Sequence, residues 1–102
     1  MSKTELNTQI TLQQVRQAQG GNVEDTITAE LSVWACVQDA SMALKFSAAN
    51  VGMKVDRIIH LWRSEFESGY YNRVCINGVC YRIESVGASV NDQFVKLLAS
   101  MG

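Results

Sequence analysis

Asn77-Gly78 falls between Val74-Cys75-Ile76 and Val79-Cys80-Tyr81, and no other local feature constrains the chain as tightly. Both turn residues tolerate positive φ, which a two-residue type I′ turn needs in order to match the twist of its strands. Such a turn pairs Ile76 with Val79, Cys75 with Cys80, Val74 with Tyr81 and Arg73 with Arg82. Val74, Ile76, Val79, Tyr81 and Ile83 then share one face, the expected core side. Arg73, Cys75, Cys80, Arg82 and Glu84 share the other. A chain built on this hairpin, Arg73–Ser85, is built on antiparallel β-structure.

The remaining pattern extends that reading. Asp25–Gln38 alternates for its whole length, with Ile27, Ala29, Leu31, Val33, Ala35 and Val37 on one face, as in a half-buried strand. Trp34 lies on the opposite face, where the expectation is packing under a local loop. Thr8–Arg16 is a further strand, although Val15 is out of phase with Ile10 and Leu12. Gln17–Glu24, with Gly20-Gly21-Asn22, reads as a flexible turn or loop. Asp39–Asn50 breaks the alternation. Ala40, Ala43, Leu44, Ala48 and Val51 recur at helical spacing, Asp39 or Ser41 is placed to cap the start, and Gly52 the end. This short helix in an inserted loop (residues 39–53) either folds over a barrel mouth or orders only in an assembly. Lys54–Arg63 is a strand with both faces partly apolar, Ser64–Asn72 a loop and Gly87–Asp92 a turn. Gln93–Ala99 is a last short strand, with a helical turn as the alternative. Five or six strands and one short helix describe a mainly β single domain over residues 1–102, a small barrel or sandwich.

The 102 residues suffice for one modest core, and the 47% hydrophobic and 19% charged content is that of a globular domain. A net charge of −1 argues against an unspecific DNA-coating protein but leaves room for a locally basic strip. No apolar run approaches the ~20 residues of a membrane span, and Met1–Thr8 reads as a polar, flexible arm without a secretory signal. The expected starting compartment is therefore a cytoplasm. With no proline, the loops take their shape from Gly, Asn, Asp and Ser, or from a partner.

The residues that carry chemistry form no catalytic set. His60 is the only histidine, no nucleophile elbow, phosphate loop or dinucleotide fingerprint occurs, and the carboxylates are scattered. Cys36, Cys75, Cys80 and His60 lack the spacing of a zinc knuckle. Cys75 and Cys80 face each other at a non-hydrogen-bonded pair, close enough for a disulfide. In a reducing cytoplasm the expectation is two thiols packed side by side. The expectation is thus no enzyme, no metal, no cofactor and no small-molecule substrate. Arg73 opposite Arg82 is an unfavourable pair unless something neutralises it. Glu84, diagonal to Arg73, is one candidate; an acidic patch on a neighbour or a phosphate backbone is the other. Arg57 and Arg63 extend that surface, and Tyr70 and Tyr71 either contact a partner or cap the core.

Val33-Trp34-Ala35, a short helical connection, Asp56-Arg57-Ile58-Ile59-His60-Leu61-Trp62-Arg63, then Arg73-Val74 and Asn77-Gly78-Val79-Cys80-Tyr81-Arg82-Ile83-Glu84-Ser85-Val86 together resemble the phage head–tail adaptor (head-closure, or head completion) family. In that family a Trp-Ala strand precedes an insertion, a strand ending in Arg, a hairpin of the form R-V-x-x-x-G-x-x-Y-x-I-x-S-V, and a leucine-rich strand. The match runs from about Ile10 to Leu98. It implies a six-stranded β-barrel with a long inserted loop, forming a homo-oligomeric ring below the portal. It further implies a virion location, host cytoplasm before assembly, portal or adaptor and tail proteins as partners, and contact with packaged double-stranded DNA. Where the family often has Gly-x-Glu after the Trp strand, Ser41-Met42-Ala43-Leu44 stands here. The candidate contact residues are Ser41, Met42, Phe46, Tyr70, Tyr71, Arg73 and Arg82. A second reading is a small barrel binding single-stranded nucleic acid through Trp34, Trp62, Tyr70 and Tyr71. A third is a tail-terminator or minor tail protein.

Overall fold

The Asn-Gly turn forms as its chemistry requires, with φ of 50° at Asn77 and 83° at Gly78. It joins β4 (Arg73–Ile76) to β5 (Val79–Ala88) in the expected register, from Ile76↔Val79 to Arg73↔Arg82. A computed structural model describes residues 6–16, 26–88 and 93–101. The expected loop at 17–24, most of the N-terminal arm and the end of the expected 87–92 turn lie outside them. The other described elements are β1 (Thr8–Arg16), β2 (Thr26–Asp39), α1 (Met42–Ala49), β3 (Arg57–Trp62), α2 (Arg63–Phe66) and β6 (Phe94–Ser100).

The strands close into a six-stranded barrel in the order β1-β2-β3-β6-β5-β4, every pairing antiparallel. Closure settles the choice between barrel and sandwich, although β2 meets β3 only over Cys36–Asp39, so its stretch Thr26–Ala35 is laddered to β1 alone among the described residues. The seam between β1 and β4 is short, Thr11↔Cys75 to Gln13↔Arg73. Every strand sends side chains inward: Ile10 and Leu12, Val33 and Ala35, Ile59 and Leu61, Val74 and Ile76, Tyr81, then Val95, Leu97 and Ala99.

Two bulges alter the faces that alternation predicts. In β2 the register passes from Gln14↔Ala29 to Val15↔Ile27, so Thr28 is the extra residue. The phase flips there, and Ile27 joins Val15 on the outer face, 48% exposed, instead of entering the core. In β5 the extra residue is Glu84, between Ile83↔Ala99 and Ser85↔Leu98. Val79, expected in the core, is exposed near the hairpin tip, and Ile83 is half-buried. The stretch expected to turn at Gly87 continues as strand to Ala88, and the last segment is a strand without a helical turn.

Ser41 caps α1 by accepting from Leu44 N–H at 3.1 Å. At the other end Met53 N–H donates to Ala48 O and Gly52 N–H to Ala49 O, with Gly52 at φ 76°. That pairing is a Schellman stop, which favours glycine at the left-handed position. Ala40, Leu44 and Ala48, spaced by four, pack with Met53, Val55 and Leu98 in a cluster separate from the barrel core. Ala43 and Val51, expected on the buried stripe, are exposed. The strand expected over Lys54–Arg63 is only Arg57–Trp62. The short helix α2 runs from Arg63 into the segment read as a loop at Ser64–Asn72, its Phe66 packing with Tyr71 (ring centroids 6.4 Å) against the core.

Candidate assembly surfaces

Antiparallel connectivity decides where the two candidate loops sit. The α1 insertion joins the end of β2 to the start of β3, whereas 63–72 joins the end of β3 to the start of β4. In a closed antiparallel barrel those connections leave from opposite ends. Met42 (65% exposed) and Phe46 (67%) are four residues apart on α1 and present an apolar face at the first end. Ser41 is exposed there too, with its hydroxyl engaged as the helix cap. Tyr81 plugs this end from inside, with the Arg57 guanidinium 5.6 Å from its ring centroid. Arg57 is in turn held by Asp39 at 3.1 Å and the Asp56 carbonyl at 2.9 Å, so it closes the barrel instead of extending the Arg73–Arg82 surface.

The opposite end separates the two tyrosines. Tyr71 caps the core beside Phe66, and Tyr70 is 85% exposed. Gly69 makes that separation feasible: a Cβ there would lie 2.9 Å from the Tyr71 ring. A groove of about 530 Å³ opens at the same end between Trp62, Arg63, Ser64, Glu67 and Gln93. Trp62 stacks on Phe94 at 4.4 Å, and the Arg63 Nε is buried 3.6 Å from Glu67 Oε1, too far for a hydrogen bond. Trp34, two residues before Cys36 in the Cys36↔His60 pair, is 54% exposed on the outer wall rather than packed beneath a loop.

The arginine pair occupies the wall beside the seam, and each member has its own polar partner. Arg73 Nε donates to Gln13 Oε1 at 2.7 Å, and Gln13 Nε2 donates to Glu30 Oε2 at 2.8 Å. Arg82 donates through Nε and Nη2 to Glu84 Oε1 at 3.0 and 2.9 Å. Ser100 Oγ donates to the same oxygen at 2.6 Å. Glu84 thus neutralises Arg82, not Arg73 as the diagonal position suggests, because the bulge aims its carboxylate toward β6. The hydrogen bond from Ser100, then that from Arg82, holds the Glu84 pKa below its ordinary value. Gln13 and Asn72 are the residues that local reading missed. The Asn72 carboxamide accepts from Val15 N–H at 2.9 Å and donates to Val15 O at 2.8 Å, across a separation of 57 residues that no local pattern signals.

Cys75 and Cys80 are joined by a disulfide, with Cα atoms 3.9 Å apart, which corrects the expectation of two packed thiols. The turn places the two residues at a non-hydrogen-bonded pair, where facing side chains on neighbouring strands come closest. Cys36 is a free thiol on the opposite wall, beside His60, whose own cross-strand neighbour on β6 is Lys96. Burial, then the charge of Lys96, pushes the His60 pKa down. No protein-family model matches the chain, and no curated protein matches it.

Proposed function

We propose that this chain is a structural virion protein of a tailed bacteriophage, forming a ring at the head–tail junction below the portal. There it closes the DNA-filled head and offers a docking surface to the tail. The resemblance carried by the Trp34 strand and the Arg73–Val86 hairpin is one support. The observation that carries the reading is the placement of unlike exposed side chains, Met42 and Phe46 against Tyr70, at opposite ends of one closed barrel. A subunit held between a portal and a tail requires two different end surfaces, and a ring adds two different lateral ones.

The test replaces Ser41–Ala49 by a short Gly-Ser linker in the encoding phage and in the purified protein. The helix rests on its own cluster, outside the barrel core. The expected result is a folded barrel and filled heads that fail to join tails. Normal infectious particles would remove the insertion from the junction.

The exposure of Trp34 favours a second reading, a barrel that stacks single-stranded nucleic acid. Titration with an oligonucleotide, followed by tryptophan fluorescence across salt, separates the two. Tight, steeply salt-dependent binding selects the second.

A further inference from the structure

We propose that Cys75 and Cys80 form a reversible dithiol–disulfide couple in which Cys80 is the sulfur that exchanges with solvent thiols and Cys75 the sulfur that leaves. The inference is independent of the virion reading. It rests on the unequal surroundings of the two sulfurs. Cys80 is exposed and Cys75 half-buried. On the far side of Cys75 lies β1, paired at Thr11↔Cys75, and Gln13 Oε1 sits 3.4 Å from Cys75 Sγ. On the far side of Cys80 there is no strand among the described residues, because the β5–β6 ladder begins only at Arg82↔Ser100. A thiolate must approach a disulfide along the sulfur–sulfur axis, and Cys80 is the more exposed of the two residues, with no laddered strand beside it among the described residues.

The balance is that of ordinary exchange with glutathione. A glutathione thiolate attacks Cys80 Sγ, the Cys75–Cys80 bond breaks, and the electron pair leaves on Cys75. A second glutathione thiolate attacks the glutathione sulfur of the mixed disulfide, releasing the Cys80 thiolate and oxidised glutathione. The departing Cys75 thiolate lies two residues from Arg73 on the same face, and Arg73↔Arg82 is the next pair along that face, with Val74↔Tyr81 between them turned inward. Arg82 is neutralised by Glu84, but Arg73, bonded to the neutral Gln13 carboxamide, keeps its charge to stabilise a thiolate and attract anionic glutathione. Once protonated, the Cys75 thiol has an acceptor waiting in Gln13 Oε1. The dithiol state keeps the fold, since the cysteines are only five residues apart and the Asn-Gly turn sets their register without the bond.

The test uses the full chain carrying Cys36→Ser, which removes the third thiol. Equilibrated over glutathione buffers from fully reduced to fully oxidised, then quenched and alkylated, it should pass reversibly between disulfide and dithiol by intact mass, with an unchanged circular dichroism spectrum. In C36S/C75S, oxidised glutathione should modify Cys80 at least about tenfold faster than it modifies Cys75 in C36S/C80S. A disulfide that resists excess reduced glutathione, loss of the fold on reduction, or equal or reversed modification rates would each overturn the proposal.

Discussion

Replacing Asn72 by alanine removes a side chain that stands in for a peptide group. Main-chain pairing between β1 and β4 ends at Gln13↔Arg73, and Asn72 continues it one step with Asn72 N–H to Gln13 O at 3.0 Å. Beyond that point the Asn72 carboxamide meets both the N–H and the C=O of Val15. Two such bonds are worth about 0.5–1.5 kcal/mol each in net terms. Asn72 is exposed, so water takes over part of the loss, and the expected cost is about 1–2 kcal/mol. With an m-value of about 1–1.5 kcal/mol per molar for a small domain in urea, the midpoint should fall by roughly 1 M. Trp34 and Trp62 report the transition by fluorescence. Asn72→Asp sharpens the logic, because a carboxylate still accepts from Val15 N–H but opposes Val15 O. It should be at least as damaging as alanine at neutral pH and recover, relative to wild type, as the new acid is protonated. An alanine variant within about 0.3 kcal/mol of wild type, or an aspartate variant as stable as wild type at neutral pH, would refute the peptide-surrogate account.

Two further perturbations test other parts of the frame. Gly69→Ala places a Cβ 2.9 Å from the Tyr71 ring and should cost about 1–3 kcal/mol by displacing it from Phe66. In a Tyr71→Ala background the same change should add little, and additive losses in thermal melts would sink that coupling. His60 has a folded pKa below its ordinary 6.5, so the unfolded chain takes up the proton first. Its contribution is complete above the unfolded value and is lost as pH falls from there through the folded one. His60→Gln should therefore flatten the decline in urea midpoint between about pH 7.5 and pH 5.5, and an equal decline in both proteins would contradict the assignment.

What could be read from the sequence divides along a physical line. The hairpin register was legible because a type I′ turn is a property of four consecutive residues, and Ser41 and Gly52 were legible as helix ends for the same reason. The inward faces of β2 and β5 were legible only up to their bulges. A bulge is a property of two strands, and neither Thr28 nor Glu84 differs in type from a regularly paired residue. The helix α2 has four residues and no side-chain cap, so it left no periodic trace. Tyr70 and Tyr71 were indistinguishable in sequence and are separated only by Phe66 arriving from the preceding turn. The disulfide escaped for a different reason. Its geometry was foreseen, but the expected compartment argued against it.

The polar side chains that local reading missed, Gln13 and Asn72, gather at one place, and the barrel's topology explains why. Five of the six pairings join strands whose ladders run for at least four residues, whereas β1 and β4 share three. A closed barrel must be sealed somewhere, and here it is sealed by its shortest strand, the four-residue β4. Main-chain bonds are few at that seam, so side chains supply the rest. The Asn72 carboxamide lengthens the ladder beyond Gln13, and Arg73 crosses the seam to Gln13. Asn72 is exposed and keeps part of its solvation, whereas Gln13, only 7% exposed, offsets its burial with Arg73 on Oε1 and Glu30 on Nε2. The awkward Arg73–Arg82 pair is one consequence. Arg73 is turned toward β1 and Arg82 toward Glu84 and β6, so the two guanidiniums are drawn to partners on opposite sides of the hairpin. A substitution on this wall therefore acts first on closure of the barrel, and its effect on any partner has to be read against that.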